Sequence, residues 1–143
     1  FINMGAFHEL AVRHNNFVKN IDSYIEGAID DNNALLDLNR EQLKVEHKNK
    51  LDQPITPPYS YLTAQIKGFK TPNLYDTGEL FDSLTIEAKG KAYFVKGHTD
   101  YTHKLLEKYG KDIFGIAKSK QPAAKKITTK ELANAYKQSV FNK

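Results

Sequence analysis

Asn73-Leu74-Tyr75-Asp76-Thr77-Gly78-Glu79-Leu80-Phe81-Asp82-Ser83-Leu84 joins a loop, a helix cap and an apolar helical turn, then opens onto a strand pattern. Pro72 biases Thr71 toward extended backbone. Asp76 or Thr77 is placed to cap the orphan amides of a short helix, and Gly78 lets the chain turn in tightly. Leu80, Phe81 and Leu84 supply helical spacing for packing. The run holds no nucleophile-base pair, so its content is architectural.

Downstream, Ser83 to Ala88 and Ala92 to Gly97 are β-rich runs flanking Lys89-Gly90-Lys91, a hairpin signature. Tyr101 to Tyr109 reads as a short helix closed by Gly110, and Ile113-Phe114-Gly115-Ile116 as a compact apolar knot. Gln121-Pro122-Ala123-Ala124 reads as a linker. Thr128-Thr129-Lys130-Glu131 offers a capping box for a last helix faced by Leu132, Ala135, Tyr136 and Val140.

Upstream, Phe7, Leu10, His14, Phe17, Ile21, Tyr24 and Ala28 recur at threes and fours, which predicts an amphipathic helix over 5–30. Asp30-Asp31-Asn32-Asn33 interrupts it or re-caps a second helix through Leu35, Leu36, Arg40, Leu43 and His47 to about Lys50. One long bent helix is the alternative. Gln53-Pro54-Ile55-Thr56-Pro57-Pro58-Tyr59 reads as an extended connector, and Tyr61 to Lys70 as a short helix ending near Gly68. The expected fold class is α+β: a long N-terminal helix packed on a small antiparallel sheet, with short helices and a C-terminal helix.

The 143 residues are about the size of one domain. Cysteine is absent, which excludes disulfides and thiolate metal sites and fits assembly in a cytosol. No apolar stretch approaches the roughly 18 residues needed to span a bilayer. The N-terminus lacks the features of a signal peptide. Net charge is +4, unevenly placed: residues 111–143 hold eight lysines against Asp112 and Glu131. That basic end suits a polyanion or an acidic protein face, through Lys118, Lys120, Lys125 and Lys126, or else is a solvated surface. Without interleaved aromatics, any nucleic-acid contact would be phosphate-directed and salt-sensitive.

Phe7, Leu10, Phe17, Ile21 and Ile25 are the interface candidates, because so wide a stripe over a small hairpin has surplus apolar surface. Packing against the C-terminal helix is the equal alternative. His14, within the stripe, reads as a packed or edge-of-core residue. His98, Asp100 and His103 lack the spacing of a zinc helix. Asp76, Glu87 and Lys89 resemble the carboxylates and lysine of a Mg²⁺ nuclease. However, Asp76 falls where a cap belongs, and Glu87 and Lys89 alternate as a solvated strand face would. No catalytic residue, metal or cofactor is expected.

The motif Tyr75-Asp76-Thr77-Gly78-Glu79-Leu80-Phe81-Asp82-Ser83-Leu84 resembles that of tail-completion (virion morphogenesis, minor tail or neck) proteins of tailed bacteriophages. Many of these carry an Asp-Thr-Gly-x-Leu-x-x-Ser-Ile-like run after a long helix and before strands and an aromatic-glycine element, here Tyr109-Gly110. Leu36-Asp37-Leu38-Asn39-Arg40-Glu41-Gln42-Leu43, leading to Pro58-Tyr59-Ser60, looks like the variant in phages of Bacteroidetes hosts. Tyr75 stands where the family often has proline. The structural motif would be Asp76, Thr77, Gly78, Leu80 and Ser83.

The resemblance implies a tail-completion-like α+β domain over 1–115, followed by a basic linker and C-terminal helix over 116–143. It also implies a non-enzymatic, homo-oligomeric ring subunit, six-fold or twelve-fold, at the head-tail junction of the virion. Such a subunit is assembled in the host cytoplasm between a connector and the tail tube or terminator. The alternatives are a Mg²⁺-dependent phage nuclease and a basic non-specific DNA-binding protein.

Overall fold

The computed structural model describes residues 4–90 and 92–142. Among these, seven α-helices accompany one two-stranded antiparallel sheet, the expected α+β class.

The helix expected over 5–30 is two helices, α1 (Met4–Lys19) and α2 (Ile21–Ile29). Asn20 breaks it. Its side-chain amide donates to the Asn16 carbonyl at 2.8 Å, and its backbone N–H is shared between Asn16 and Phe17 carbonyls. A short amide side chain thus competes with the helix ladder. A second break follows at Asp31, where φ is +51°. The Asn32 side chain closes α2 by donating to the Ala28 carbonyl, and opens α3 (Asn33–Lys44) by accepting from the Leu35 N–H. The two predicted helices are therefore separate. α3 stops short of the expected Lys50 because Val45 and Glu46 both fold their N–H back onto Glu41, and His47 takes φ +57°.

The helix at Tyr61–Lys67 (α4) ends on left-handed Gly68, as its spacing implied. α5 (Glu79–Asp82) carries the motif's apolar turn. The hairpin pairs β1 (Thr85–Lys89) with β2 (Ala92–Lys96), in a register that sets Ile86 opposite Val95 and Ala88 opposite Tyr93 on the inner face. Lys91 of the expected turn lies outside the described residues. α6 (Thr102–Tyr109) follows, closed by Gly110. The apolar knot at 113–117 is buried throughout.

The expected linker at Gln121–Ala124 is instead the first turn of α7 (Gln121–Val140), and the expected capping box at 128–131 lies inside that helix. Pro122 looks like a breaker, but in a first turn its missing N–H has no partner to lose. Thr128 donates back to the Ala124 carbonyl rather than capping. Residues 116–142 are not a loose tail, since Ile116, Ala117, Ala124 and Val140 are buried.

α7 explains the N-terminal stripe, because α1 and α2 both pack on it. Phe17 stacks on Tyr24 at 4.3 Å and meets Tyr136 edge-on at 5.0 Å. His14 pairs with the Tyr136 hydroxyl at 2.8 Å, giving that histidine its partner. The apolar period runs through the break at Asn20 because both helices face one neighbour. It is α2 that lies against β1.

The main core joins α3, α5, the hairpin and the knot around Leu36, Leu43, Ile55, Leu80, Ile86 and Ile113. Each such side chain contributes roughly 1.5–3 kcal/mol. Within it, α3 also buries two amides, Asn39 and Gln42, at 0% and 1% exposure. Gln42 accepts from the Ala117 N–H at 2.7 Å and donates to the Gly115 carbonyl at 3.1 Å. Asn39 accepts from the Gly115 N–H at 3.1 Å. These side chains pair the 115–117 backbone as a neighbouring strand would.

Candidate interaction site

The motif loop is held from three sides. Asn73 is buried; its side chain accepts from the Tyr75 N–H and the Tyr59 hydroxyl, and donates to the Lys44 carbonyl at the end of α3. Leu74 takes φ +61°, a conformation that this ring of bonds maintains. Lys67 of α4 donates to the Tyr75 carbonyl at 3.0 Å. The Tyr75 ring lies under the Lys44 ammonium at 4.0 Å and against Phe81.

The expected cap needs correction. The N-cap position of α5 is Gly78 itself, at φ +89°. Thr77 gives only a long contact, 3.4 Å, from the Glu79 N–H. Asp76 is exposed and accepts no hydrogen bond among the described residues. Left-handed glycine carries the turn, and it occupies the N-cap position without a side-chain bond. Ser83 has a clearer role. It donates to the Leu80 carbonyl at 2.7 Å and accepts from the His98 N–H at 3.0 Å, tying α5 to the exit of the hairpin. Leu80 is buried in the core.

Beside the loop opens a cleft of about 380 Å³ lined by Tyr59, Tyr75, Tyr101 and Tyr109 with Lys67, Asp76 and Glu79. Its walls are aromatic and both charge signs sit at its lip, which suits a polar-aromatic protein contact. The nuclease trio is spread out. Asp76 belongs to this cleft, whereas Glu87 and Lys89 stand exposed on β1, Glu87 opposite Phe94. Among the described residues no three His, Asp or Glu side chains are grouped as a metal site needs, His98, Asp100 and His103 included. His98 instead meets the Thr85 hydroxyl at 2.7 Å.

The interface candidates divide. Phe17 is buried within the chain, so it is not available to another subunit; the stripe packs on α7 instead. Leu10, Ile21 and Ile25 are half-buried, and Phe7 is exposed beside Met4 one turn away. The strongest apolar exposure lies on α4, which the sequence analysis did not single out. Tyr61, Leu62 and Ile66 are 81%, 69% and 78% exposed. The available signal was three large apolar residues on a helix too short to cover them.

Of the four lysines proposed for an anionic partner, Lys120 is engaged, 2.7 Å from Glu46 and 4.0 Å from Glu41. Lys118, Lys125 and Lys126 are exposed. Lys126, Lys130 and Lys137 recur on one face of α7 and form a stripe. No described helix is long and apolar enough to cross a membrane.

Comparison with known proteins gives no match: no family model, no curated protein and no solved structure aligns with the chain.

Proposed function

We propose that this chain is a structural subunit of a tailed-bacteriophage virion, built into the neck or tail-completion ring at the head-tail junction. It would act through contacts with copies of itself and with the connector and tail-tube or terminator proteins on either side. The observation that carries this reading is α4, whose Tyr61, Leu62 and Ile66 side chains meet solvent rather than core. Exposed apolar clusters on a folded chain mark protein contacts. Two further features support it: Ser83 of the motif ties α5 to the hairpin exit, and Asp76 and Glu87 belong to different parts of the surface.

The test is solution mass. Light scattering and sedimentation over rising concentration should give a closed six- or twelve-fold oligomer, alone or once connector and tail-tube proteins are added. A variant with Tyr61, Leu62 and Ile66 all replaced by serine should stay folded and monomeric. A parent chain that remains monomeric with those neighbours present would sink the reading. Plasmid cleavage that needs Mg²⁺ and is lost in Glu87→Ala would replace it with the nuclease alternative.

The Lys126, Lys130 and Lys137 stripe favours a secondary contact with duplex DNA passing the ring. Three phosphate contacts would give a log-log salt slope of about −3.

A further inference from the structure

The two outer edges of the hairpin differ. On β1, the Asp30-Asp31 turn covers the edge: the Asp31 N–H donates to the Ile86 carbonyl and the Asp30 carboxylate accepts from the Ala88 N–H, both at 2.8 Å. On β2, no backbone group of Ala92–Lys96 bonds to anything but β1 among the described residues. Unpaired strand edges are templates for another strand, and proteins usually blunt or cover them.

Beside this bare edge runs a groove of about 660 Å³. One wall is β2 and Gly97. The other is the Phe114–Ile116 segment with Thr102 and Leu106 of α6. That far wall has its own partners: Gly115 is paired to α3 and the Ile116 carbonyl to Gln121. The open strand edge is on β2, and the far wall offers the apolar side chains of Leu106, Phe114 and Ile116. Three lysines line the groove, Lys50, Lys96 and Lys111, and no carboxylate does. Lys50 is held by Asp112 at 3.4 Å, while Lys96 and Lys111 have no ion-pair partner among the described residues.

We infer that the open edge of β2 takes an extended, acidic segment of a partner protein as a third strand of the sheet. The ladder supplies backbone hydrogen bonds. Alternate partner side chains fall on the apolar wall, and the carboxylates between them meet Lys96 and Lys111. A five-residue edge accommodates a partner strand of similar length, roughly 17 Å. A nucleic acid could use the lysines but not the alternating donors and acceptors of β2, so the bare ladder favours peptide. This inference does not depend on ring formation, because the groove lies within one copy.

The probe is a fluorescein-labelled octapeptide of alternating glutamate and valine, titrated by anisotropy. Three controls accompany it: the same peptide N-methylated on alternate residues, a lysine-valine analogue, and a dT oligonucleotide. Saturable binding of the acidic peptide is expected, with slowed amide exchange at residues 92–97. N-methylation should weaken binding at least tenfold, because it removes the donors that pair with β2. The Lys96→Glu and Lys111→Glu double variant should lose at least tenfold for the acidic peptide at an unchanged Tm and gain affinity for the lysine analogue. The proposal is overturned if the acidic peptide does not saturate by about 1 mM or if the N-methylated peptide binds equally. Tighter binding of the oligonucleotide, or self-association of the chain that occupies the β2 edge, also overturns it.

Discussion

α3 and α4 invert the usual rule in opposite directions. α3 buries two amide side chains at the centre of the molecule, while α4 leaves a tyrosine, a leucine and an isoleucine in water. The difference lies in what each helix neighbours. α3 lies along the 115–117 backbone, whose N–H and C=O groups have no strand beside them, so Asn39 and Gln42 supply the bonds. α4 meets the motif loop through Lys67 alone of the bonds described above, and its Tyr61, Leu62 and Ile66 side chains face solvent. Polarity at a given position therefore reports the demand of the neighbouring surface, not only depth.

The largest expected effect tests the α3 side. Gln42→Leu keeps the volume but orphans the Ala117 N–H and the Gly115 carbonyl, at about 1–3 kcal/mol for each. The urea midpoint should fall with the m-value unchanged. A loss under about half a kcal/mol would mean that water serves those groups instead.

Asn39→Leu sharpens the point. It orphans the Gly115 N–H but also removes the asparagine's own side-chain N–H₂, which is buried without a partner. The net loss should be about 1 kcal/mol or less. A loss exceeding that of Gln42→Leu would reverse the order of the two amides.

On the α4 side, Leu62→Ser with Ile66→Ser should change monomer stability by no more than about 0.5 kcal/mol. A larger drop in Tm at dilution would place these side chains in the fold rather than at a contact.

The smallest effect concerns a tie between the 48–54 loop and the start of α7. The Asp52 carboxylate accepts from the Ser119 hydroxyl at 2.6 Å and from its N–H at 3.1 Å, and these bonds hold its pKa below the usual 3.8. A depressed carboxylate adds stability that is fully present above that value and is lost as pH falls through the lowered one. Asp52→Asn should therefore flatten the Tm-versus-pH curve below 3.8 and leave it parallel above. An unchanged acid limb would remove the role.

Much of the fold was legible because its signals are local. The hairpin alternation, Gly68 and Gly110 as helix ends, and the polar run at 30–33 each mark an element from within. What escaped depends on distant neighbours. The stripe from Phe7 to Ala28 hid the Asn20 break because both pieces face α7. Gln121–Ala124 reads as a linker because proline is tolerated in a helix only at its first turn, and the start of α7 depends on the 3₁₀ turn (Lys118–Lys120) that precedes it. Asn39 and Gln42 carry no periodic signal, since their partners lie more than 70 positions away. At the motif, Asp76 has the residue type of a cap, yet Gly78 occupies the N-cap position; Ser83, by contrast, ties α5 to the hairpin exit.

The Asp30-Asp31 turn seals one flank of the hairpin and leaves the other available. A sheet with a single free flank has a valence of one. It can accept one strand, or pair once with its like, and then it is finished. The same two aspartates thus stand against fibrillar stacking, since no copy can hand a flank onward to the next.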